Sequence, residues 1–552
     1  MMSLSTVNGC SAHVRRATHT CTSALGIDAA SSLVEPTPCR TDSACLRVYN
    51  RSRCRHLSKM RFSSSSSGNP VDIHSKSAPD SSSIPMGVMG QPTCHTHPHI
   101  VGPGELVAGL TVKDFRKRRT ELMKRLVASK LREGKRGHTI LIPSASKTYM
   151  SDKIPFVFRQ NSDFFYLTGC LEPDCLLMMT YKSFRSILFV RGRDAHSELW
   201  DGPRTGIDDA TRLFRVDVAL PYTELSHYLT SHFSAHKSDY LWYSPSSPAH
   251  QEADESVRKA MSVARLNTAP ACPRRTIAAQ RLIKSSAEAK LMLQAATVAG
   301  QAINSAMACT RPGMSEHDIH ASIDYWCRRG GAEHLAFPPV VGGGDRATAI
   351  HYIQDNQRLK DGELLLVDAG NNFSQCCQHS AYNSDITRTW PVSGKFSPAQ
   401  ATLYDIVHAV QNILLETLLA GRPTLDHLFD VMCGALGGFL RAEGIIAKST
   451  SDSELAFRFC PHHVSHYLGL DIHDTPPIQR NVPVQSGMVV TVEPGIYIPV
   501  HETAVPPEFR GIGIRIEDDV LITNESHVVL SDICHRNRDV VEKIVGTRYL
   551  PE

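Results

Sequence analysis

Four histidines lie close together in the segment CPHHVSHYLGLDIHD at residues 460 to 474: His462, His463, His466 and His473. His462 and His466 have the spacing with which two imidazoles on one helix share a zinc ion in the HExxH motif. The second position here holds a histidine instead of the glutamate that acts as general base, so the motif is not met. Gly469 and the alternating apolar residues around it favour a strand with a bulge over a helix. Any metal chemistry therefore needs ligands from elsewhere in the chain.

Four carboxylates occupy apolar, strand-like surroundings in the C-terminal half: Asp368 in LLLVDAG, Asp385 in NSDITRT, Glu493 in VVTVEPGIY and Glu517 in GIRIEDDV. A single acid at a strand end is usually a cap or a surface group. Several carboxylates buried together are costly unless a cation compensates their charge. Oxygen ligands with one imidazole suit manganese, cobalt or zinc, and shared carboxylates suit two ions. The sequence therefore predicts a dinuclear metal hydrolase.

The surroundings of Glu517 allow two arrangements. Ile514 and Ile516 alternate ahead of it, so the carboxylate either points away from these two side chains or belongs to a strand that is buried on both faces. The sequence leaves both open.

The overall composition predicts a globular chain of more than one domain. It has 552 residues, 41% of them hydrophobic, and a formal charge of +4. No apolar run approaches the roughly 18 residues of a membrane helix, so we expect no membrane span. The basic excess lies in residues 1–62, where nine Lys and Arg face three acids. Because the remainder is slightly acidic, we expect no nucleic-acid partner.

The composition of the N-terminal segment predicts targeting to an organelle. Residues 1–62 are rich in arginine and serine, poor in acids, and lack the apolar stretch of a secretory signal. We expect a mitochondrial transit segment, with a plastid transit segment as the alternative; an unspecific tail on a cytoplasmic protein is the further possibility. Residues 63–89, which include SSSSSGNP, predict a disordered Ser/Pro-rich linker.

The cysteines indicate a reduced, intracellular enzyme. Of 16 cysteines, six lie at or before Cys94, and no CxxC pair or disulfide framework is present.

Two folded domains are predicted after the linker. Residues 90–275 contain a basic amphipathic helix at 112–130 and β-like runs at HTILIP, DFFYLTG, CLLMMTY and SILFVRG, followed by a helix and a strand in LTSHFSAHKSDYLWYS. This pattern predicts an α/β domain. A long helix at 285–308 opens a second domain, residues 276–552, in which glycine-rich turns separate β-rich runs.

The ordered motifs VDAG, SDITRT, SHYLG, TVEPG and IRIED resemble the ligand-bearing segments of the pita-bread metallopeptidases, which include methionine aminopeptidase, prolidase and aminopeptidase P. Further segments resemble aminopeptidase P and its mitochondrial members: GQPTCHTHPHIVGPGEL, FRQNSDFFYLTG, SELWDGPRTG, CPHHVSHYLG, DIHDTP and FRGIGIRIEDD. The resemblance extends from about Gly90 to the C-terminus. It implies an α/β N-terminal domain plus an α+β pita-bread (creatinase/aminopeptidase) catalytic domain.

The resemblance also implies the site and the activity. Its metal ligands would be Asp368, Asp385, His466, Glu493 and Glu517. Glu517 would bridge two divalent ions, manganese first with cobalt or zinc as alternatives. A hydroxide held by both ions would attack the bond before a proline in the second position of a peptide. The residues that act on the substrate and its protons would be His351, His462, His473, Glu493 and Arg515. His463 matches no functional position, and the family implies a homodimer.

Alternatives remain open. A prolidase, which cleaves Xaa-Pro dipeptides, shares all five ligands, and an inactive scaffold on the same fold is a third reading. Methionine aminopeptidase is less favoured because such enzymes usually lack the large N-terminal domain. Between Asp368 and Asp385 the segment AGNNFSQCCQHSAYNS is longer than the usual hairpin of the family. A second metal site at Cys376, Cys377 and His379 within it is a minor hypothesis.

Overall fold

The computed structural model describes residues 84–133, 136–181, 184–245, 250–266, 269–373 and 382–548. The predicted transit segment, most of the predicted linker and the insert that carries Cys376, Cys377 and His379 lie outside the described residues. Among the helices that the structure describes, none has the length and apolar character needed to cross a membrane.

Most helices begin where the sequence offers a side chain that can cap them. In the described ranges the helices are α1 Val112–Lys130, α2 Ser162–Thr168, α3 Ala195–Asp201, α4 Gly206–Phe214, α5 Leu225–Ala235, α6 Gln251–Ala264, α7 Arg274–Arg281, α8 Ser286–Cys309, α9 Glu316–Arg329, α10 Pro398–Gly421, α11 Leu425–Ala442, α12 Asp452–Phe459 and α13 Arg538–Ile544. At the start of α8, Ser285 and Glu288 form a reciprocal capping box. Both the predicted helix at 112–130 and the predicted long helix near 285–308 are confirmed.

The strands form several small sheets. Their bounds are β1 Glu105–Val107, β2 Leu110–Thr111, β3 His138–Pro143, β4 Tyr149–Ser151, β5 Ile154–Pro155, β6 Leu176–Thr180, β7 Arg185–Val190, β8 Val218–Pro221, β9 Tyr240–Trp242, β10 Ala332–Leu335, β11 Val340–Gly343, β12 Leu364–Ala369, β13 Asn371–Phe373, β14 Tyr382–Asn383, β15 Ile386–Pro391, β16 Val489–Val492, β17 Gly495–Ile498, β18 Ile512–Arg515, β19 Asp518–Ile522 and β20 His527–Val529.

The N-terminal region is built around one mixed sheet in the order β8-β7-β6-β3-β9. The central strands pair antiparallel, whereas β8 and β9 add at the two edges in parallel. The side chains of β3 are buried along its whole length, because helices or other strands cover both faces. Two hydrophobic clusters, one on each face of the sheet, join its strands to the helices, as expected for the α/β domain that the sequence predicts.

In the C-terminal region, strand pairing brings the predicted metal ligands together. The three-stranded sheet β11-β12-β15 pairs Asp368 of β12 with Thr387 of β15, so that Asp385 lies just beyond the end of the same pairing. β16 pairs with β19, and β17 pairs with β18, which brings the ends of these strands beside the first sheet. Residues of β18 are buried throughout, so the arrangement with two buried faces is the one observed next to Glu517.

Two secondary-structure predictions are wrong. DFFYLTG is not a strand but the core of α2, where the Asn161 side chain accepts a hydrogen bond from the backbone N–H of Phe164 and Gly169 ends the helix in the left-handed conformation. The histidine segment 460–474 is not a strand with a bulge either. It is irregular, and it lies along the Val489–Val492 strand, with one bridge between Tyr467 and Val490 and a backbone hydrogen bond from Thr491 to the His466 carbonyl oxygen.

A buried ionic cluster joins the N-terminal region to the histidine segment. The guanidinium of Arg281 lies 2.7 Å from carboxylate oxygens of Asp163 on α2 and of Asp471, and it also contacts Asp474. Lys284 lies 3.2 Å from Asp474. Although burial alone would raise the pKa of Asp471, Arg281 and other nearby cations hold it below its usual value. The segment that follows His466 is thus fixed by charges from outside the catalytic sheets.

Candidate metal centre

Three predicted ligands converge on one point. Ligand atoms of Asp385, His466 and Glu517 all lie within 4.8 Å of one another. The His466 Nε2 atom is 3.4 Å from Asp385 Oδ2 and 3.6 Å from Glu493 Oε1. These distances are too long for good hydrogen bonds and leave room for a cation among the donor atoms.

The ring of His466 is oriented for coordination. Its Nδ1 atom lies 3.2 Å from the carbonyl oxygen of Tyr467, to which the Nδ1–H group donates. The Nε2 lone pair then faces Asp385 and Glu493, both of which are acceptors when ionised. The backbone N–H of His466 donates to Thr491 Oγ1 at 3.0 Å, and that hydroxyl lies 3.2 Å from Glu493 Oε1. One threonine therefore fixes both a histidine and a carboxylate, as partners beyond the ligands do in metal sites.

The carboxylates favour protonation unless a cation is present. Burial first, and then the charges of Asp368, Asp519 and Glu493, raise the pKa of Asp385 well above its usual range. Burial and the charge of Asp385 likewise raise the pKa of Glu517 well above its usual range. Such crowding of buried carboxylates is expected where a positive ion belongs.

Asp368 and Arg515 form the charged wall of the site. One guanidinium nitrogen of Arg515 donates to Asp368 Oδ2 at 2.7 Å. The other oxygen, Asp368 Oδ1, is buried and has no hydrogen-bond partner among the described residues. A buried carboxylate oxygen without a hydrogen-bond partner costs free energy unless it binds a cation. Its position beside three more acids therefore fits a metal ion. The donor set of carboxylates and one imidazole thus fits divalent ions.

Arg515 is also connected to Glu517, through the hydroxyl group of Thr387. Its Nε–H group donates to Thr387 Oγ1 at 2.9 Å, and the threonine hydroxyl donates to Glu517 Oε2 at 2.7 Å. Another guanidinium nitrogen donates to the Tyr497 hydroxyl at 2.7 Å. Arg515 is 2% exposed, so this single cation holds three groups in a nearly dry setting.

His462 connects Tyr497 to Glu493. Its Nδ1–H group donates to the His463 carbonyl oxygen at 3.0 Å, which leaves Nε2 to accept from the Tyr497 hydroxyl at 2.8 Å. The Nδ1 atom also lies 3.6 Å from Glu493 Oε2. Burial, and then the positive charge of Arg515, lower the pKa of His462 to about 4. The imidazole is therefore neutral at pH 7.

His473 lies beside His466. Its ring centroid is 4.6 Å from that of His466, and the rings meet edge to face. Gly469 permits this arrangement because a Cβ atom there would collide with the Asp474 carboxylate. His351 is exposed in the loop after β11. Burial, and then the charge of His466, lower the pKa of His473.

His463 points away from the centre. Its ring stacks on Phe429 with centroids 5.2 Å apart, and its Nδ1 atom lies 2.8 Å from the Ser465 carbonyl oxygen. The prediction that it is structural agrees with these contacts.

Sequence reasoning did not single out Thr387, Tyr497 or Asp519. Asp519 accepts the backbone N–H of Asp385 at 3.2 Å with both carboxylate oxygens. A signal existed for Thr387 and Asp519, because each lies two residues from a predicted ligand and alternation places it on the same face of an extended chain. For Tyr497 no such signal existed, since its role depends on the register of β17 against β18.

Comparison with known proteins agrees with the geometry. Residues 290–524 match the profile of metallopeptidase family M24, and residues 115–242 match the aminopeptidase P N-terminal domain. Xaa-Pro aminopeptidase 3 of Rattus norvegicus is 40% identical over 472 residues, which cover 84% of this chain and 91% of that protein. The chain belongs to metallopeptidase family M24.

Two further proteins are similar to most of the chain. Intermediate cleaving peptidase 55, mitochondrial, of Arabidopsis thaliana is 34% identical and covers 80% of this chain and 85% of that protein. The solved structure of Pseudomonas aeruginosa aminopeptidase PepP is 30% identical, with a TM-score of 0.71, and covers 79% of this chain and 98% of that one. The predicted fold class, an N-terminal α/β domain before a pita-bread catalytic domain, is confirmed, and so is the prediction of a metal-dependent aminopeptidase of the hydrolase class.

Proposed function

We propose that this M24 enzyme removes the N-terminal residue from peptides that carry proline in the second position. The observation that carries the proposal is the convergence of Asp385, His466 and Glu517 with the orphaned oxygen of Asp368. The names of the relatives, Xaa-Pro aminopeptidase and Xaa-Pro aminopeptidase 3, support the substrate class.

We assign Asp368, Asp385, His466, Glu493 and Glu517 as metal ligands. Two divalent ions would polarise the scissile carbonyl and lower the pKa of an attacking water when bound. Mostly oxygen donors with one imidazole favour manganese, and cobalt or zinc fit the same set.

The remaining groups act on the substrate and its protons. Glu493 Oε1 lies 3.2 Å from the Thr491 hydroxyl and Oε2 lies 3.6 Å from His462, and at this position a carboxylate can take up a proton and pass it to the leaving nitrogen. His462, which lies 3.6 Å from the Glu493 oxygen, orients that proton transfer. Arg515 keeps Asp368 and Tyr497 in place through its 2.7 Å hydrogen bonds. His351 and His473 lie beside these groups and contact the peptide.

Selectivity for proline has a physical basis. A peptide bond before proline carries no N–H group, so an enzyme that binds this N–H has nothing to hold. Sites that cleave the bond must instead accept the ring itself. The α-amino group of the substrate would lie at the carboxylates, which restricts cleavage to the first residue.

The decisive experiment strips the full-length protein of metal and assays three peptides with Mn²⁺, Co²⁺ or Zn²⁺ restored. We expect metal-dependent cleavage of an Xaa-Pro-Yaa peptide, little cleavage of its Xaa-Ala-Yaa counterpart, and little of the Xaa-Pro dipeptide. Cleavage of the dipeptide alone would establish a prolidase. No turnover with any of these metals would support the alternative that the protein is an inactive scaffold. A Glu493→Gln variant should be inactive, and Glu508→Gln, on the exposed surface, is the matched control.

We propose that the enzyme is a homodimer. A large apolar patch on the N-terminal region supports this: the hairpin of β4 and β5, the residues after it, and the end of α3 expose Tyr149, Met150, Ile154, Phe156, Val157, Leu199 and Trp200. Lys153 lies 5.9 Å from the centre of the Trp200 ring, which makes the patch continuous. Residues of both signs, Asp152 and Lys153, lie in the same hairpin, as a self-complementary two-fold interface requires.

Light scattering tests the dimer. The wild-type mass should be twice that of the chain, and Trp200→Ser should shift it toward one chain, because Trp200 is 70% exposed and its loss leaves the core intact. Tyr325→Ser, an exposed aromatic on α9, is the control. A monomeric wild-type protein would contradict the proposal.

We propose a mitochondrial location, with residues 1–62 as transit segment, 63–89 as linker, and domains at 90–275 and 276–552. The basic, acid-poor start supports this, together with the mitochondrial relative from Arabidopsis thaliana. Import of the radiolabelled chain into isolated mitochondria, with loss of an N-terminal piece, is the expected outcome. Import into chloroplasts instead, or into neither organelle, would favour the plastid or the cytoplasm.

A further inference from the structure

A second concave surface lies beside the metal centre. It is a groove of about 440 Å³ between α11 and α12 that ends at the start of the histidine segment. Its volume falls within the roughly 300–1,000 Å³ of small-molecule sites. The lining is largely apolar and includes Phe429, Cys433, Ala456, Phe457 and Cys460, together with His463.

The two phenylalanines that line the groove differ in their contacts and exposure. Phe429 is fixed by its stacking on His463, whose own ring is held by the Ser465 carbonyl oxygen. Phe457 on α12 is 86% exposed and has little to pack against. An exposed phenyl group at the mouth of a preformed apolar groove gains buried area when an apolar group enters. The floor, formed by Cys433, Ala456 and Cys460, is already buried.

His462 lies between the groove and the metal centre. This ring lines the end of the groove, and it also lies 2.8 Å from the Tyr497 hydroxyl and 3.6 Å from Glu493. An extended peptide advances about 3.3 Å per residue. The one or two residues after the proline of a substrate held beside Glu493 are therefore the residues within reach of the groove.

We propose that this groove binds an apolar side chain at the third or fourth position of the peptide substrate. This inference rests on the proposed aminopeptidase function and adds a preference beyond proline. Charge supports the direction of that preference. Asp430 and Asp452 line the groove, and Arg441, 2.9 Å from Asp452, offsets one of these two charges. The repulsion of an acidic substrate residue therefore comes mainly from Asp430.

The test compares three peptides that differ only after the proline: Ala-Pro-Phe-Ser-Ser, Ala-Pro-Ser-Phe-Ser and Ala-Pro-Ser-Ser-Ser. The metal-loaded, full-length enzyme should show a kcat/KM about fivefold higher for one of the phenylalanine peptides than for the all-serine peptide, through a lower KM. Phe457→Ser should remove most of this preference and leave the rate on the all-serine peptide unchanged. Because Phe457 is exposed, the variant should fold normally.

Two further variants complete the design. Phe457→Leu, which keeps an apolar side chain, should retain the preference. Phe439→Ser, on α11 but outside the groove lining, should behave as the wild type. A wild-type enzyme without preference, or a Phe457→Ser variant that keeps it, would overturn the groove proposal, while cleavage of the all-serine peptide upholds the aminopeptidase. No cleavage of any of the three peptides would overturn both.

Discussion

Replacing Arg515 with lysine isolates the role of the guanidinium fork. Arg515 donates to Asp368 at 2.7 Å, to Tyr497 at 2.7 Å and to Thr387 at 2.9 Å. A lysine keeps the charge but presents a single nitrogen on a flexible stem, so we expect it to maintain one of the three contacts.

The magnitude follows from the two lost contacts. Each removes a hydrogen bond from a buried polar group, at about 1–1.5 kcal/mol. Together they amount to about 2–3 kcal/mol, which corresponds to a decrease of about 30- to 150-fold in kcat/KM at about 1.4 kcal/mol per tenfold. The loss applies to the transition state, because Asp368 and Tyr497 must keep their positions while the bond breaks.

The assay is hydrolysis of an Xaa-Pro-Yaa peptide by fully metal-loaded wild-type and Arg515→Lys enzymes, with bound metal measured by mass spectrometry. Arg510→Lys is the matched control, because the hydrogen bonds of Arg510 within the described residues go to backbone oxygens of a nearby loop. If Arg515→Lys keeps its metal and more than about a third of the wild-type kcat/KM, the positioning argument is refuted.

Three other perturbations have defined outcomes. Chelation of the metal should lower the thermal midpoint, since an ion present at about 100 times its Kd stabilises the fold by about 2.7 kcal/mol. Arg281→Met should destabilise the protein by about 3–5 kcal/mol, because it leaves the buried Asp474 without its main counter-charge. Burial, with the charge of His236, lowers the pKa of His232 to about 4. Because the pKa of His232 is lower in the folded than in the unfolded protein, the neutral imidazole contributes to the free energy of unfolding above about pH 6.5, and this contribution is lost as pH falls. After allowance for solvent screening, about 1 kcal/mol of the free energy of unfolding should disappear by about pH 5.

Each measurement has its control. Re-added Mn²⁺ must restore the midpoint, and an unchanged midpoint after verified metal removal contradicts the fit of the carboxylates to a cation. Arg275→Met, on the exposed side of α7, should change the free energy of unfolding little. If Arg281→Met and Arg275→Met lower the free energy of unfolding equally, the buried ionic cluster does not stabilise the protein as proposed. For the histidine, urea denaturation of wild-type and His232→Gln proteins at pH 7.5 and pH 5 is compared. Equal pH dependence in the two proteins would exclude His232 as the source.

The long elements and the five proposed ligands could be predicted from sequence because their signals are local. A 24-residue helix with a capping box at Ser285 carries its own start signal and its own periodicity. Among the proposed ligands, Asp368, Glu493 and Glu517 each close a short apolar run, whereas the full set of five follows from the resemblance to a family. The strand predicted at DFFYLTG was wrong because a short run of aromatic residues suits either structure; Asn161 and Gly169 were the signals of a helix.

Contacts between distant segments could not be predicted in this way. The bond between Arg515 and Asp368 spans 147 positions of the chain, and the contact of Asp519 with Asp385 spans 134. Both depend on the register of strands whose pairing no local pattern specifies. The resemblance to a family indicates that such residues matter, whereas only the structure shows which atoms they hold.

The buried cluster around Arg281 limits how this protein can be recombined. Asp163 comes from the N-terminal region, Arg281 from the connection between the regions, and Asp471 and Asp474 from the histidine segment. A chimera that exchanges the N-terminal region with that of a relative has to transfer matching charges at all of these positions. Otherwise the chimera loses the support of the loop that carries His473. The two regions are therefore inherited as one unit, and a library that shuffles them should recover active members chiefly where these charges are kept.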